Sequence, residues 1–260
     1  MFFDYLSKLD YSFNSFFILG NGSNIIASDK IYNGIVVSFK KVTDEIEICK
    51  NDNKYIVNCP AGVMAPVLAN FLNKHMLTGG EAMSTIPGTI GGLVTMNASC
   101  YDFVISDYVS EVLILYNNDL KWYNKNELNF EYRDSIIRKN KMIVLYVKFI
   151  FSKGIKEDII EKTCKIKNSR LMNQPVKCHT AGSIFKNKYS DNVRAWKLID
   201  ECKLKGFKYK NVMISEKHSN FLINNGDSGD DIYILIMIVK KIVKISKEID
   251  LESEIQLINF

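Results

Sequence analysis

The 260-residue sequence has few of the residues that usually mark metal or disulfide chemistry. It contains three histidines and six cysteines, with no CxxC pair and no mixed Cys/His spacing of the kind that binds zinc. The cysteines are therefore expected to be reduced and mostly buried thiols of a cytosolic protein. No metal site is predicted.

Long apolar runs and blocks of like charge are missing as well. The longest apolar run, Ile232–Val239, is far short of the roughly 20 residues that a membrane helix needs. The net charge is only +5 and is not concentrated, so a nucleic-acid-binding surface is not indicated. The start of the chain lacks the pattern of a signal peptide. We expect a soluble, cytoplasmic, monomeric protein with neither membrane nor nucleic acid as a partner.

Glycine, in contrast, is concentrated in two places. Residues 79–97 read GGEAMSTIPGTIGGLVTMN, and the strand-like run Phe16–Leu19 opens into the loop 20–24, GNGSN. Such loops turn tightly and can present N–H groups to a diphosphate, although plain turns and helix–strand corners also use glycine. Neither the GxGxxG nor the Walker A spacing occurs. The sequence thus has two phosphate-compatible loops without an ordinary nucleotide motif.

Hydrophobic patterning predicts a change of organisation near Gly154. Before it, strands are predicted at 34–39, 45–49, 55–59, 109–116 and 142–151, with a helix at 66–76 and a short helix at 125–130. After it, helices are predicted at 156–172, 193–203 and 230–247, with a strand at 221–224. Strands and helices therefore alternate in the second half, which suggests a compact α/β unit.

Seven segments together resemble one family, in the right order and over nearly the whole chain. They are ILGNGSN (18–24), STIPGTIGGLVTMNASCY (84–101), YRDS (132–135), AGSIFKN (181–187), LIDE (198–201), SEKHSNF (215–221) and LESE (251–254). This pattern resembles the UDP-N-acetylenolpyruvoylglucosamine reductase, or MurB, family. Because no segment is inserted between YRDS and AGSIFKN, the shorter type II form is the better match.

The resemblance implies an α+β fold with three parts. Residues 1–153 would form an FAD-binding domain of the MurB and vanillyl-alcohol oxidase type, and residues 154–250 a smaller α/β substrate-binding domain. Residues 251–260 would form a C-terminal strand that returns to the FAD domain. Family members usually carry a further strand–helix segment upstream, of which Phe2–Leu9 resembles the end. The chain is therefore expected to bind FAD less tightly than a full-length member.

The resemblance also implies FAD and NADPH as cofactors. The residues expected to bind FAD lie in the two glycine loops. They are Leu19, Gly20, Asn21, Gly22, Ser23, Asn24, Ser84, Thr85, Ile86, Pro87, Gly88, Gly91, Gly92 and Asn97.

Arg133 and Ser183 are the first two expected catalytic residues. A guanidinium offers a planar fork of donors that suits a carboxylate or enolate, although from the residue alone a surface salt bridge is the favoured interpretation. By resemblance, Arg133 would stabilise negative charge on the substrate. Ser183 would donate a proton to it, as the matching serine does in the family.

Glu254 is the third expected catalytic residue. The family pattern there is L-x-P-E, and this sequence has LESE, so Glu252 is the alternative if the turn has shifted. Lys186 and Asn187 match residues near the substrate and are expected to contact it. His75 and His218 are expected to be structural.

The implied reaction is the reduction of UDP-N-acetylglucosamine enolpyruvate to UDP-N-acetylmuramate, a peptidoglycan precursor. One alternative is a flavin oxidase of the same superfamily, but neither histidine nor cysteine flanks the loop 20–24 to tether FAD. The other alternative is a truncated, non-catalytic homologue that binds flavin or a UDP-sugar. The presence of Arg133, Ser183 and Glu254 together argues against it.

Overall fold

The computed structural model describes residues 16–39, 45–188 and 193–260. The strands are β1 (Phe16–Leu19), β2 (Ile25–Ala27), β3 (Ile35–Ser38), β4 (Glu47–Asn51), β5 (Lys54–Pro60), β6 (Leu77–Thr78), β7 (Ser99–Cys100), β8 (Phe103–Val104), β9 (Val109–Tyr116), β10 (Asp119–Asn124), β11 (Ile143–Lys153), β12 (Lys208–Tyr209), β13 (Val212–Ile214), β14 (Leu222–Asn224) and β15 (Gln256–Ile258). The helices are α1 (Ala65–Lys74), α2 (Ile90–Thr95), α3 (Ile136–Lys139), α4 (Lys156–Asn173), α5 (Ala195–Glu201) and α6 (Gly229–Lys247), with short 3-10 helices at Glu81–Thr85, Ile105–Asp107 and Lys125–Leu128.

The described chain forms two compact units. The first contains residues up to Asn21 and Asn33–Asn168, and the second contains Gly22–Tyr32 and Ser169–Phe260. The division thus falls inside α4, after the boundary predicted near Gly154. The reason is that Ile166, in the first part of α4, packs into the core of the first unit. As assignments of cofactor and substrate domains, the limits 1–153, 154–250 and 251–260 stay predictions.

The first unit is built on an antiparallel sheet with strand order β10-β9-β11-β5-β4, in which β6 also pairs with β11. Strand β1 pairs separately with β3, in parallel. The β9–β10 hairpin turns through Asn117 and Asn118, whose φ angles of 50° and 63° are left-handed. Asparagine tolerates this conformation, which a two-residue hairpin of this twist requires.

Helix α1 packs beneath this sheet because its apolar residues follow the helical period. Ala65, Leu68, Ala69 and Leu72 are all fully buried. The proline in its first turn has no N–H, so that position leaves no unpaired donor. The helix predicted at 66–76 is thereby confirmed, with its end at Lys74.

The second unit combines an antiparallel sheet of β12, β13 and β14 with a parallel pair of β2 and β15. Helix α6 buries Leu235, Ile236, Val239 and Val243 in the core of this unit. The C-terminal strand pairs with β2, Gln256 lying opposite Ile25.

Asp29 attaches the segment 22–32 to the start of α6. The Ser228 hydroxyl and the Gly229 N–H donate to its carboxylate at 2.6 and 2.7 Å. The hydrogen bond from Ser228, followed by that from Gly229, lowers the pKa of Asp29. Gly229 itself leaves no room for a side chain, since a Cβ would lie 1.8 Å from the Ala27 carbonyl oxygen.

The three helices predicted in the second half correspond to α4, α5 and α6, although α5 is shorter than the predicted 193–203. The predicted strands are confirmed with ends shifted by a few residues. The helix within the second glycine run, α2, and strand β10 were not predicted. The expectation for Phe2–Leu9 lies outside the described residues.

Candidate flavin and substrate site

The two glycine loops contact each other within the first unit. The side-chain amide of Asn21 donates to the carbonyl oxygen of Pro87 at 2.6 Å. A Cβ at Gly20 would lie 2.6 Å from Oγ1 of Thr89, so this close approach requires glycine. The structure therefore brings Gly20 and Asn21 into contact with Thr89 and Pro87, and so joins the two loops that the resemblance assigns to one cofactor.

The N–H groups at the start of α2 already have partners. Ile90 donates to the Val63 carbonyl at 2.8 Å and Gly91 to the Ala61 carbonyl at 2.9 Å. A Cβ at Gly91 would lie 2.9 Å from the Ala61 Cβ, so close packing explains this glycine without any ligand. A role of Gly91 in cofactor binding stays a prediction.

Two residues expected to bind FAD have buried polar atoms that need a partner. Among the residues that the structure describes, Ser84 Oγ and Asn97 Oδ1 have no hydrogen-bond partner. Such an atom costs about 1–3 kcal/mol and calls for a ligand or a water. The other described side chains of this kind are Asn58, Gln174 and Asp200. Ser84 and Asn97 thus fit a polar cofactor that would supply the missing partners.

Arg133 lies in a turn and is held by Ser99. Its Nη1 donates to Ser99 Oγ at 2.6 Å and its Nη2 to the Ser99 carbonyl at 3.0 Å. The guanidinium also lies over the ring of Tyr132, with Cζ 5.2 Å from the ring centre. The backbone of Arg133 is left-handed, with φ of 58°. This conformation costs a non-glycine residue about 1–3 kcal/mol and is found preferentially at functional sites.

The turn that carries Arg133 is fixed to the end of α2. Asn97 donates its Nδ2 to the Glu131 carbonyl at 2.8 Å. Ser135, whose side chain is fully buried, donates to the Thr95 carbonyl at 2.7 Å. The Nδ2 of Asn97 thus positions the turn that carries Arg133, while its Oδ1 is available to another group.

In the second unit, Ser183 and Glu254 lie on adjacent backbone segments. The Glu254 N–H donates to the carbonyl of Ile184, the residue after Ser183, at 2.8 Å. Ser183 itself pairs with Phe221 in an isolated β-bridge. Gly182 just before it has φ of +81°, a conformation that favours glycine. The fold therefore brings two of the three expected catalytic residues together at backbone level.

The residues expected to contact substrate also have partners within the protein. Lys186 Nζ lies 2.6 Å from Glu252 Oε1, which engages the alternative to Glu254 in an ion pair. Asn187 Oδ1 accepts from the Ala195 N–H at 3.0 Å, at the start of α5. Substrate contacts by Lys186 and Asn187 stay predictions.

Asn220 is a structural residue that the sequence did not single out, although it lies in the SEKHSNF motif. It is 3% exposed, accepts from the Phe185 N–H at 3.0 Å and donates to the Phe185 carbonyl at 2.8 Å. Its own carbonyl accepts from Ile184 at 2.9 Å. The amide therefore clamps the segment that follows Ser183.

His218 is a half-buried imidazole beside this clamp. Burial lowers its pKa, against an opposing effect of Asp200. Its Nδ1 accepts from the Asn220 N–H at 3.3 Å, and its ring contacts Phe221 edge-on at 4.9 Å. The other described histidines lie elsewhere: His75 ends α1, with Nδ1 2.8 Å from the Phe71 carbonyl, and His179 is exposed.

The described ranges contain neither a metal-binding cluster nor a membrane-spanning helix. No group of three or more His, Cys, Asp or Glu side chains within 16–39, 45–188 and 193–260 is arranged to hold a metal ion. Over the same part of the chain, no helix has the length and apolar content needed to cross a bilayer.

Family profiles match both halves of the chain. The profile described as FAD binding domain matches residues 14–119. The profile described as UDP-N-acetylenolpyruvoylglucosamine reductase, C-terminal domain, matches residues 174–258.

The similar proteins share one name, and the similarity covers most of each chain. The UDP-N-acetylenolpyruvoylglucosamine reductase of Carboxydothermus hydrogenoformans is 35% identical over 245 residues, which cover 93% of this chain and 79% of that protein. The reductase of Clostridium novyi is 38% identical over 245 residues, covering 94% and 78%. The crystal structure of UDP-N-acetylenolpyruvylglucosamine reductase (MurB) from Thermus caldophilus superposes with a TM-score of 0.80 at 28% identity, covering 98% of this chain and 89% of that one.

Fold and profiles together define a flavoprotein, with an FAD-binding domain followed by a C-terminal reductase domain. Its α+β fold class is the predicted one. Within this class, the chain belongs to the UDP-N-acetylenolpyruvoylglucosamine reductase family. The predicted resemblance is thereby confirmed.

Proposed function

We propose that the protein is a UDP-N-acetylenolpyruvoylglucosamine reductase, an FAD-dependent oxidoreductase that uses NADPH. Its substrate is UDP-N-acetylglucosamine enolpyruvate and its product UDP-N-acetylmuramate. The observation that carries the proposal is the match of both family profiles in the family's order, residues 14–119 and then 174–258. The protein would act as a monomer in the cytoplasm, and its product would serve peptidoglycan synthesis and thereby cell shape and division.

The reaction adds two hydrogens to the enolpyruvyl double bond, while NADPH becomes NADP⁺. FAD, when bound, supplies the hydride chemistry that no side chain provides. Ser84 and Asn97 would contact FAD through the atoms that lack a protein partner, Oγ and Oδ1. The other residues of the two glycine loops would surround it.

Arg133 would stabilise the negative charge that develops on the substrate's carboxylate as the double bond is reduced. Preorganised donors are effective in this role because they need no reorientation during the reaction. The two hydrogen bonds to Ser99 support such preorganisation, since they restrict the guanidinium before any substrate binds.

Ser183 would give the proton that completes the reduction, and Glu254 would assist on the adjacent segment. A neutral hydroxyl has a high pKa, so proton transfer from it requires neighbours that stabilise the alkoxide or replace the proton. The hydrogen bond between Glu254 N–H and the Ile184 carbonyl supports a joint role, because it keeps the two residues in one place. Lys186 and Asn187 would bind the substrate from the same segment.

The test combines flavin spectroscopy with product analysis. The purified protein should be yellow and lose its colour with NADPH in the absence of oxygen. Oxidation of more than one NADPH per flavin should then require the enolpyruvyl substrate. The product should be heavier than the substrate by two hydrogens. Flavin that bleaches with NADPH without any product would contradict the proposal and favour a non-catalytic homologue. Flavin that stays with acid-precipitated protein would favour a tethered-flavin oxidase instead.

A further inference from the structure

Glu81 is a buried carboxylate for which the proposed reaction has no use. It is 1% exposed and begins the 3-10 helix Glu81–Thr85, inside the second glycine run. Burial of a carboxylate is strongly unfavourable unless hydrogen bonds or opposite charges compensate for the lost water. Its neighbours therefore show what holds it in place.

Three groups surround this carboxylate within the first unit. Thr78 Oγ1 donates to Oε1 at 2.7 Å, and the Gly79 N–H donates to both oxygens at 3.1 Å. Lys162 Nζ, on α4, lies 3.5 Å from Oε2. Burial raises the pKa of Glu81. The hydrogen bonds from Thr78 and the backbone, together with the charge of Lys162, lower it by more, so the net pKa lies below its usual value. The side chain is thus a carboxylate anion at neutral pH.

The turn that Glu81 holds has no room for a side chain at Gly79 or Gly80. Gly79 has φ of +109°, and a Cβ there would lie 2.3 Å from the ring of Tyr108. At Gly80 a Cβ would lie 2.4 Å from Leu72 Cδ1. The turn therefore packs between the side chains of Tyr108 and Leu72, and the Glu81 carboxylate fixes the Gly79 N–H. The direction in which the chain enters the 3-10 helix depends on this contact.

That 3-10 helix carries Ser84, whose buried hydroxyl has no partner among the described residues. We propose that Glu81 is a positioning residue of the flavin site: its carboxylate fixes the Gly79 turn and thereby holds Ser84 where it can bind FAD. The inference rests on the proposed function, because it takes FAD to be the partner of Ser84. Glu81 itself does not touch the cofactor in this account; it acts through the helix that it begins.

A double-mutant cycle on FAD binding tests the inference. Apoprotein of the wild type, Glu81→Gln, Ser84→Ala and the double variant is titrated with FAD, and the dissociation constant is read from flavin fluorescence. Each single change should weaken binding about tenfold, the effect of losing one hydrogen bond to a charged or buried group. Because Glu81 acts through Ser84, the double variant should bind no more weakly than Ser84→Ala alone.

Glu127→Gln is the matched control. The Glu127 carboxylate likewise caps the start of a 3-10 helix, Lys125–Leu128, by accepting from the Asn124 N–H at 2.8 Å, but that helix carries no residue expected to bind FAD. The control should leave the FAD dissociation constant unchanged, even if it lowers the melting temperature of the apoprotein.

Two results overturn the inference. One is a Glu81→Gln variant that binds FAD like the wild type; the other is a Glu81→Gln effect that persists in full in the Ser84→Ala background. If Glu81→Gln does not fold, Thr78→Val keeps the carboxylate and removes one of its hydrogen bonds. It should weaken binding less, and its effect should vanish in the Ser84→Ala background; a persisting effect there again overturns the inference. Wild-type protein that does not bind FAD at all would instead remove the proposed function.

Discussion

The side-chain amide of Asn21 donates to the Pro87 carbonyl at 2.6 Å and so joins the two glycine loops of the flavin-binding unit. Glycine, the residue on either side of Asn21, has no side chain that could offer this bond. In this chain, therefore, one loop orients the other through a side chain. This hydrogen bond is exposed, so water competes for both of its partners.

Asn21→Ala should weaken FAD binding about three- to tenfold, the usual net effect of one neutral hydrogen bond. The reason is that the free loops must then be ordered by the cofactor itself. Fluorescence titration of the apoprotein with FAD measures the change. Asn173→Ala is the control, because Asn173 makes a similar exposed bond to the Ser169 carbonyl at 2.9 Å. Equal affinities for Asn21→Ala and wild type would contradict the prediction.

Local pattern was enough to predict the strands that bury whole apolar runs, such as β9 and β11. Strand β10 escaped prediction because it is largely exposed and three of its six residues, Asp119, Lys121 and Asn124, are polar. Its one local signal was the Asn117-Asn118 pair, whose left-handed backbone makes the hairpin. The pairing of β2 with β15 has no local signal at all, since Ile25 and Gln256 are distant in sequence.

The candidate site likewise has features that local sequence predicts and features that only the fold reveals. Glycine content pointed to both flavin loops, but it could not separate Gly91, which packs on Ala61, from glycines that a ligand requires. Ser183 and Glu254 came from the family pattern alone, because a single serine or carboxylate has no distinguishing local chemistry. The buried environment of Glu81 depends on Lys162 from a distant helix, and only the fold reveals it.

Arg133→Lys should lower kcat/KM by about 100-fold, the effect of removing one preorganised donor from a developing charge. Lysine has no planar fork, so it cannot keep both bonds to Ser99 and also address a carboxylate. Steady-state NADPH oxidation with varied substrate measures the change. FAD affinity should stay as in the wild type.

Arg138→Lys is the control for that change. Arg138 follows in the same motif region and forms only a partly exposed ion pair with Asp134, at 3.6 Å. Such a pair contributes little, and either cation can make it. If both variants lose the same activity, Arg133 serves the turn rather than the substrate.

Ser183→Ala should reduce kcat by about 10²- to 10⁴-fold, the usual contribution of a positioned proton donor. The reduction of bound flavin by NADPH should continue, because it does not involve this proton. Stopped-flow bleaching followed by substrate addition separates the two half-reactions. Ser246→Ala, on the exposed face of α6, is the control and should react like the wild type. Loss of flavin colour or of thermal stability in Ser183→Ala would instead make this serine structural.

His218 should make the second unit less stable as the pH falls. Burial lowers the pKa of this imidazole below its usual 6.5, so protons bind more tightly to the unfolded chain than to the folded one. The stabilising contribution is complete above that value and is lost as the pH falls through it towards the lower folded pKa. Protonation of Nδ1 would also remove the acceptor of the Asn220 N–H.

The measurement is the free energy of unfolding of the apoprotein, from urea titrations between about pH 7.5 and pH 5. The wild type should lose stability over this range, and His218→Gln should lose less, since an amide accepts a hydrogen bond without titrating. His179→Gln, which removes an exposed histidine, is the matched control. Parallel slopes for His218→Gln and wild type would show that another group titrates, because the pKa of His218 would then be the same in the folded and unfolded chain.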